Sequence, residues 1–188
     1  MKKIVVGISG ASGLPIALQL LKELEKSVDV QTHLVYTRGA VLTAECECPG
    51  GMEELKKMAD VCYENEDIGA AIASGSFKAD GMVIVPCSMK TVAGIHSGYA
   101  DNLLLRAADV TIKEHRPLVL AARETPLSPI HLRNLYELSI MPEVRIIPLM
   151  MAFYNKPGVI DDMIRHMAAK LLEPFGIEGE GYCRWKGL

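Results

Sequence analysis

The sequence has no long hydrophobic run and no excess of charge of one sign. No stretch approaches the ~20 apolar residues of a membrane-spanning helix, and the first residues lead into a strand pattern without a signal peptide. The 20 basic and 23 acidic residues give a net charge of −3 with no basic stripe, which disfavours a nucleic-acid partner. We therefore expect a cytoplasmic protein that binds neither nucleic acid nor a membrane.

Metal-ligand patterns are also missing from the sequence. The five cysteines are odd in number and include no C-x-x-C pair, and the closest two are Cys46 and Cys48. The five histidines show no ligand spacing, no Walker A loop is present, and no paired acidic cluster suggests magnesium. We expect reduced thiols and no metal site.

The chain does carry a strand, a glycine-rich turn and a helix at its start. An apolar run at residues 4–6 ends in Gly7, Gly10 and Gly13, and a helical pattern follows with leucines on one face. Backbone N–H groups at such a helix start attract phosphate. The glycine spacing is not the dinucleotide fingerprint, so a plain turn that binds nothing stays an equal alternative at this point.

Strand and helix patterns alternate along the rest of the chain. The expected strands after the first are Val30–Tyr36, Val61–Tyr63, Gly81–Cys87, Pro117–Ala122 and Arg145–Leu149. The expected helices after the first lie near residues 39–44, 53–59, 68–73, 102–115, 128–140 and 159–175. Strands that are apolar on both faces predict a doubly wound parallel sheet of Rossmann or flavodoxin type, in one domain over residues 1–188.

Ligands of such sheets bind beyond the carboxyl ends of the strands. The residues that follow the expected strands there are rich in hydroxyls, free amides and cations: Ser9–Gly13, Thr37-Arg38, Ser88–Thr91, Arg123–Pro126 and Phe153–Pro157. Any one of these turns has an ordinary explanation, such as a helix cap at Ser88. Five on one edge favour a site for a phosphorylated ligand.

The helix expected at 102–115 carries a second feature. Arg106, Asp109 and Lys113 share one of its faces. That face is either a solvated stripe, a cover for the sheet edge or a contact with a partner subunit.

Seven motifs of the chain together resemble those of the UbiX-type flavin prenyltransferases, and in particular the small B subunit of non-oxidative hydroxyarylic acid decarboxylase systems. They run from the first strand to the C-terminus: GISGASG, ASGSF, PCSMKT, RAADVTIKEHRPLVL, RETPLS, AFYNKP and the terminal RW. The resemblance implies a flavodoxin-like fold, a dodecamer with sites at the junction of three subunits, and no metal. The implied reaction moves the dimethylallyl group of dimethylallyl phosphate to N5 and C6 of reduced FMN. The product, prenylated FMN, passes to a UbiD-type decarboxylase.

The resemblance also implies roles for individual residues. FMN would be held by Gly10, Ala11, Ser12, Thr37, Ser88, Met89, Lys90, Thr91 and Arg123. The donor phosphate would meet Lys113, Arg123, Tyr154 and Lys170. The catalytic set would be Ser12, Glu47, Arg106, Lys113, Glu124 and Trp185, with Glu45 as a second glutamate two residues before Glu47.

These residue types suit the chemistry. Fixed cations such as Lys113 and Arg123 stabilise a departing phosphate, and a tyrosine adds a hydrogen bond. An aromatic such as Trp185 keeps an allyl cation in a dry, electron-rich setting. Glu47 acting through Ser12 is a plausible base for the N5 proton.

Two other functions stay open. An FMN-dependent decarboxylase of the phosphopantothenoylcysteine type would share the fold and cofactor, although residues 148–155 depart from the Pro-x-Met-Asn-x-x-Met-Trp segment of those enzymes. A non-catalytic flavin carrier within a hydroxybenzoate decarboxylase complex would not need Glu47, Lys113 and Tyr154.

Overall fold

A six-stranded parallel sheet forms the centre of the protein, seen in a computed structural model that describes residues 1–185 and 187. The strands are β1 Lys2–Ile8, β2 Val30–Tyr36, β3 Val61–Tyr63, β4 Gly81–Cys87, β5 Leu118–Ala122 and β6 Val144–Ile146. Their order across the sheet is β3-β2-β1-β4-β5-β6. This is the Rossmann order, one of the two that the sequence predicts, and not the 2-1-3-4-5 order of flavodoxin. The winding direction changes between β1 and β4, where such sheets leave a crevice.

Helices cover both faces of this sheet. Within residues 1–185 they are α1 Leu14–Glu25, α2 Arg38–Glu47, α3 Gly51–Met58, α4 Met89–Ser97, α5 Leu103–Lys113, α6 Pro129–Ser139 and α7 Ile160–Leu172. Apolar side chains of α1, α2, α3 and α7 form one buried cluster with the sheet, and those of α4, α5 and α6 form the other. The doubly wound arrangement expected from the sequence is therefore confirmed.

Three strands have the bounds that the sequence predicts, and β6 does not. The expected strand at 145–149 is observed only at Val144–Ile146, because Pro148 has no N–H to donate. The chain nevertheless stays beside β5. The N–H of Ile147 donates to Leu120 O at 3.0 Å, and that of Leu149 donates to Ala122 O at 3.2 Å.

Several helices differ in length from the sequence prediction, most of all α4, α2, α7 and the helix expected at 68–73, which is only a 3₁₀ turn at Ala71–Ala73. Only the start of α4 is predicted, yet it continues to Ser97 because Val92 and Ile95 are buried, and Gly98 ends it with φ +66°. The second helix extends to Glu47 instead of residue 44. The last helix ends at Leu172, and residues 173–175 form a 3₁₀ turn.

Candidate active site

The carboxyl ends of β1, β2 and β4 surround a cavity of about 460 Å³, a size typical of small-molecule sites. The starts of α1, α2 and α4 lie at this edge, so the backbone N–H groups of their first turns are on the same side of the sheet. The cavity is lined by Ser9, Gly10, Thr37, Arg38, Gly39, Asn65, Glu66, Ser88, Met89, Lys90, Thr91, Asn102, Leu104, Leu105 and Glu124.

The turns after β1 and β2 approach each other closely on one side of the cavity. A Cβ on Gly10 would lie 2.9 Å from the backbone of Gly39, so no side chain fits there. Thr37 caps α2, because its side chain accepts from the N–H of Ala40 at 3.2 Å. This part of the rim therefore exposes backbone and hydroxyl groups.

The turns after β1 and β4 are joined by Ser9, which is 1% exposed. Its hydroxyl donates to Pro86 O at 3.0 Å and accepts from the N–H of Ser88 at 2.8 Å. Ser88 in turn caps α4 by accepting from the N–H of Thr91 at 3.3 Å. The segment Ser88–Thr91 is thus held against the end of β1.

Arg123 follows β5 and has an unused donor. Its backbone N–H donates to Cys87 O at 3.1 Å, which fixes the residue at the carboxyl edge of the sheet. Its Nε is buried and has no hydrogen-bond partner among the described residues. A buried guanidinium nitrogen left unpaired is costly, so the position fits an anionic ligand such as a phosphate.

Glu47 spans from the end of α2 to the start of α1. Its Oε2 accepts from the N–H of Gly13 at 3.0 Å and from the N–H of Leu14 at 2.9 Å. Partial burial tends to raise the pKa of Glu47, but hydrogen bonds from Ser12, Gly13 and Leu14, with the charge of Arg123, hold that pKa below its usual range. Glu45 is exposed, so Glu47 is the glutamate that faces the turn containing Ser12.

The α5 residues lie progressively farther from this edge. Since α5 starts at the cavity and has eleven residues, it places its last residue about 15 Å away. Arg106 donates from Nε to Ala73 O at 3.1 Å and pairs with Asp109 at 2.5 Å. Lys113 pairs with Glu114 beside Gly75, near the amino ends of the strands. One subunit does not bring Lys113 to the cavity.

Tyr154, Lys170 and Trp185 belong to a separate C-terminal cluster. The Tyr154 ring meets the rings of Trp185 and His166 edge-on, each at 5.7 Å, and its hydroxyl donates to Cys183 O at 3.1 Å. Lys170 Nζ lies 2.5 Å from Glu173 Oε2. Burial and the nearby charge of Lys170 lower the pKa of His166, so this imidazole favours its neutral form.

The sequence-predicted residues therefore fall into three groups. Of these residues, the cavity is lined by Gly10, Thr37, Ser88, Met89, Lys90, Thr91 and Glu124. Ala11, Ser12, Glu47 and Arg123 are adjacent to this lining, in the turns after β1 and β5 and at the end of α2. The C-terminal cluster holds Tyr154, Lys170 and Trp185, and α5 carries Arg106 and Lys113.

Sequence reasoning missed the contributions of Gly39 and Asn65, and it named Ser9 only as part of the turn after β1, without its hydrogen bonds to the turn after β4. Asn65 accepts from the N–H of Leu103 through its backbone oxygen at 2.8 Å and from that of Leu104 through its side chain at 3.1 Å, which fixes the start of α5. A signal for Asn65 was available, because it follows β3 as the other site residues follow their strands. It was missed because β3 is the strand that the sequence supports least.

The described residues contain neither a membrane-spanning helix nor a cluster of metal-binding side chains. No helix in this part of the chain combines the length and the apolar character that crossing a membrane requires. No cluster of three or more histidine, cysteine, aspartate or glutamate side chains there is arranged to hold a metal ion.

Comparison with known proteins gives consistent matches over the whole chain. Residues 1–174 match the Flavoprotein family. The chain is 53% identical over 187 residues to flavin prenyltransferase LpdB of Lactiplantibacillus plantarum, covering 100% of both proteins. The crystal structure of AnUbiX in complex with FMN and dimethylallyl pyrophosphate superimposes with a TM-score of 0.95 at 43% identity, covering 100% of this chain and 98% of that one. A dodecameric FMN-dependent UbiX-like decarboxylase of Escherichia coli also gives 0.95, at 48% identity, covering 98% and 100%.

Proposed function

The chain belongs to the UbiX-like flavin prenyltransferases of the Flavoprotein family, and on that premise we propose that it prenylates reduced FMN. The dimethylallyl group of dimethylallyl phosphate is transferred to N5 and C6 of the flavin, and prenylated FMN is released. The observation that carries this proposal is the cavity between β1, β2 and β4, which Glu124 helps to line, together with the buried Nε of the adjacent Arg123, which has no partner among the described residues.

The rim suits FMN in its shape and in its charge. The close approach of Gly10 to Gly39 leaves backbone in place of side chains, which lets a planar ring or a phosphate come near. The starts of α2 and α4 direct backbone N–H groups to the same space, and Arg123 supplies a fixed cation. Bound FMN, when reduced, supplies the nucleophilic nitrogen of the reaction.

The residues around the cavity take the remaining roles. The lowered pKa keeps Glu47 ionised, and this carboxylate, with Ser12 beside it, accepts the proton that N5 loses. Arg123, Lys113, Tyr154 and Lys170 bind the leaving phosphate. Arg106, Glu124 and Trp185 complete the pocket, where Trp185 covers the allyl group on one side.

This set of residues requires more than one subunit. Lys113 lies at the far end of α5, and Tyr154 lies in the C-terminal cluster. Large apolar side chains are exposed in the single chain, including Ile130 at 62% at the start of α6 and Phe153 at 69% next to Tyr154. We assign the chain to a dodecamer in which neighbouring copies complete each site.

The proposal extends to the setting of the reaction. Residues 1–188 form a single flavin-binding domain that works in the cytoplasm without a metal. The product serves a UbiD-type decarboxylase of aromatic acids.

A second function is favoured by one comparison, since the dodecameric Escherichia coli neighbour is described as an FMN-dependent decarboxylase. In that case a substrate ending in a cysteine thiol would bleach the flavin as FMN is reduced. A non-catalytic flavin carrier would copurify with a large subunit and show no turnover with the donor.

Anaerobic incubation with reduced FMN and dimethylallyl phosphate tests the proposal. We expect the flavin spectrum to change and the flavin mass to rise by one dimethylallyl group. If the flavin keeps the mass of FMN under these conditions, and a substrate with a cysteine thiol bleaches it, the protein is a decarboxylase and not a prenyltransferase.

A further inference from the structure

Both carboxylate oxygens of Glu173 form ion pairs with cations of the C-terminal cluster. Its Oε2 lies 2.5 Å from Lys170 Nζ, and its Oε1 lies 2.5 Å from Arg184 Nη1. The hydroxyl of Tyr182 donates to the same Oε2 at 3.4 Å. Two cations and one hydroxyl thus converge on one anionic group of the chain.

The geometry resembles the way proteins bind a phosphate. Phosphate sites combine lysine, arginine and hydroxyl donors around oxygens that carry negative charge. The ring of Tyr182 holds both cations in place, with Arg184 at 5.0 Å and Lys170 Nζ at 5.8 Å from its centroid. The Glu173 carboxylate therefore stands where two oxygens of a bound phosphate would be.

The same C-terminal segment also forms a hydrogen bond with Tyr154. The Tyr154 hydroxyl donates to Cys183 O, one residue before Arg184. Its ring contacts His166, whose ring lies 5.1 Å from that of Tyr182. The two residues of this cluster assigned above to the donor phosphate, Tyr154 and Lys170, are thus both engaged within the chain.

We propose that Glu173 is an internal counter-ion that competes with the phosphate of the prenyl donor for Lys170 and Arg184, and so sets donor affinity. The inference rests on the function proposed above. A donor phosphate displaces the carboxylate from these cations, and the carboxylate returns when inorganic phosphate leaves. Glu173 acts through the cations and not on the reacting atoms, so it is a positioning residue.

The proposed competition predicts that Glu173→Gln binds phosphate more tightly than the unchanged protein. The amide keeps the shape and one acceptor oxygen but removes the charge that holds the cations. Because the pairs are partly exposed, the gain is modest, and we expect about threefold to fivefold tighter phosphate binding. The KM for dimethylallyl phosphate should fall by a similar factor, with kcat nearly unchanged.

Trp185 provides a readout that does not need turnover. It is the single tryptophan of the chain and is adjacent to Arg184. Titration of the FMN-loaded protein with inorganic phosphate should change its fluorescence, with a lower Kd for Glu173→Gln than for the unchanged protein. Adding Lys170→Ala to Glu173→Gln should remove that gain, since the released cation is gone.

A matched control lies elsewhere on the surface. Glu53 and Lys56 form an ion pair with the same i,i+3 spacing, 3.0 Å apart and exposed, on α3. Glu53→Gln should leave the phosphate Kd and the donor KM unchanged. Equal or weaker phosphate binding in Glu173→Gln, with its thermal unfolding unchanged, would overturn the inference. A protein that binds phosphate as expected but makes no prenylated flavin would overturn the proposed function instead.

Discussion

The hydroxyl of Ser9 accepts a 2.8 Å hydrogen bond from the backbone N–H of Ser88 and so connects the ends of β1 and β4. These are the strands between which the winding of the sheet reverses. The side-chain connection adds to the backbone hydrogen bond from the N–H of Ser9 to Pro86 O at 3.2 Å, and together they fix the distance between the two turns. Ser9 therefore orders the cavity before FMN binds.

Ser9→Ala should weaken FMN binding by roughly tenfold and lower the free energy of unfolding by about 1–3 kcal/mol, because the N–H of Ser88 loses its acceptor. Flavin fluorescence titration and urea unfolding measure the two effects. Ser97→Ala is the control, since its exposed hydroxyl donates to Gly94 O within α4 and is not at the cavity. Equal FMN affinity in the Ser9 and Ser97 variants would contradict the positioning role.

Glu47→Gln should retain FMN but slow prenyl transfer by about 100-fold or more, the usual contribution of a general base. Anaerobic single-turnover mixing of the variant, loaded with reduced FMN, with dimethylallyl phosphate measures that rate. Glu45→Gln changes the exposed neighbour two residues earlier and should leave the rate unaltered. If the two variants react equally fast, Glu47 is not the base.

The lowered pKa of Glu47 predicts an acid-dependent part of the stability. Burial opposes the shift, while hydrogen bonds from Ser12, Gly13 and Leu14 and the charge of Arg123 produce it. The ionised form is therefore favoured in the folded state. The contribution of the ionised Glu47 to the free energy of unfolding is complete above the pKa of the unfolded chain, about 4.3. This contribution is lost as the pH falls through the lower pKa of the folded state.

This pH dependence can be checked by measuring the free energy of unfolding of the unchanged protein and of Glu47→Gln from pH 7 down to pH 3. The advantage of the unchanged protein should shrink below about pH 4. A gap that stays constant across the series would mean that the carboxylate gains nothing from its ionised form.

The distance of Lys113 from the cavity predicts complementation between subunits. Lys113→Ala should weaken binding of dimethylallyl phosphate more than binding of FMN, as separate titrations would reveal. Subunits carrying only Lys113→Ala and subunits carrying only Glu47→Gln should each be nearly inactive. When the two are dissociated, mixed and reassembled, some sites receive both intact residues and activity returns. Persistent inactivity of the mixture would place both residues in the site of one subunit.

Much of the fold follows from the sequence because its signals are local. The strand Gly81–Cys87 is predicted with its observed bounds, since a fully buried parallel strand is apolar throughout. The length of α4 is not predicted, because His96 and Ser97 interrupt its apolar pattern while burial of Val92 and Ile95 maintains the helix.

The site is predicted only in part, for a different reason. Residues that directly follow a strand, such as Thr37, Ser88 and Arg123, reach the carboxyl edge in any sheet of this kind. The contact of Glu47 with the first turn of α1 depends on where α2 ends, which no local pattern specifies. The distance of Lys113 follows from the length of α5 and can be calculated only once the direction of that helix is known.

The capping of α1 by Glu47 ties two backbone protons to a side chain 33 and 34 residues away. The first turn of this helix receives no cap from its own preceding residue, Gly13. Hydrogen–deuterium exchange at the amides of Gly13 and Leu14 thus reports how often Glu47 leaves its position. The exchange rates of these two amides therefore report the position of Glu47 in the absence of flavin and substrate.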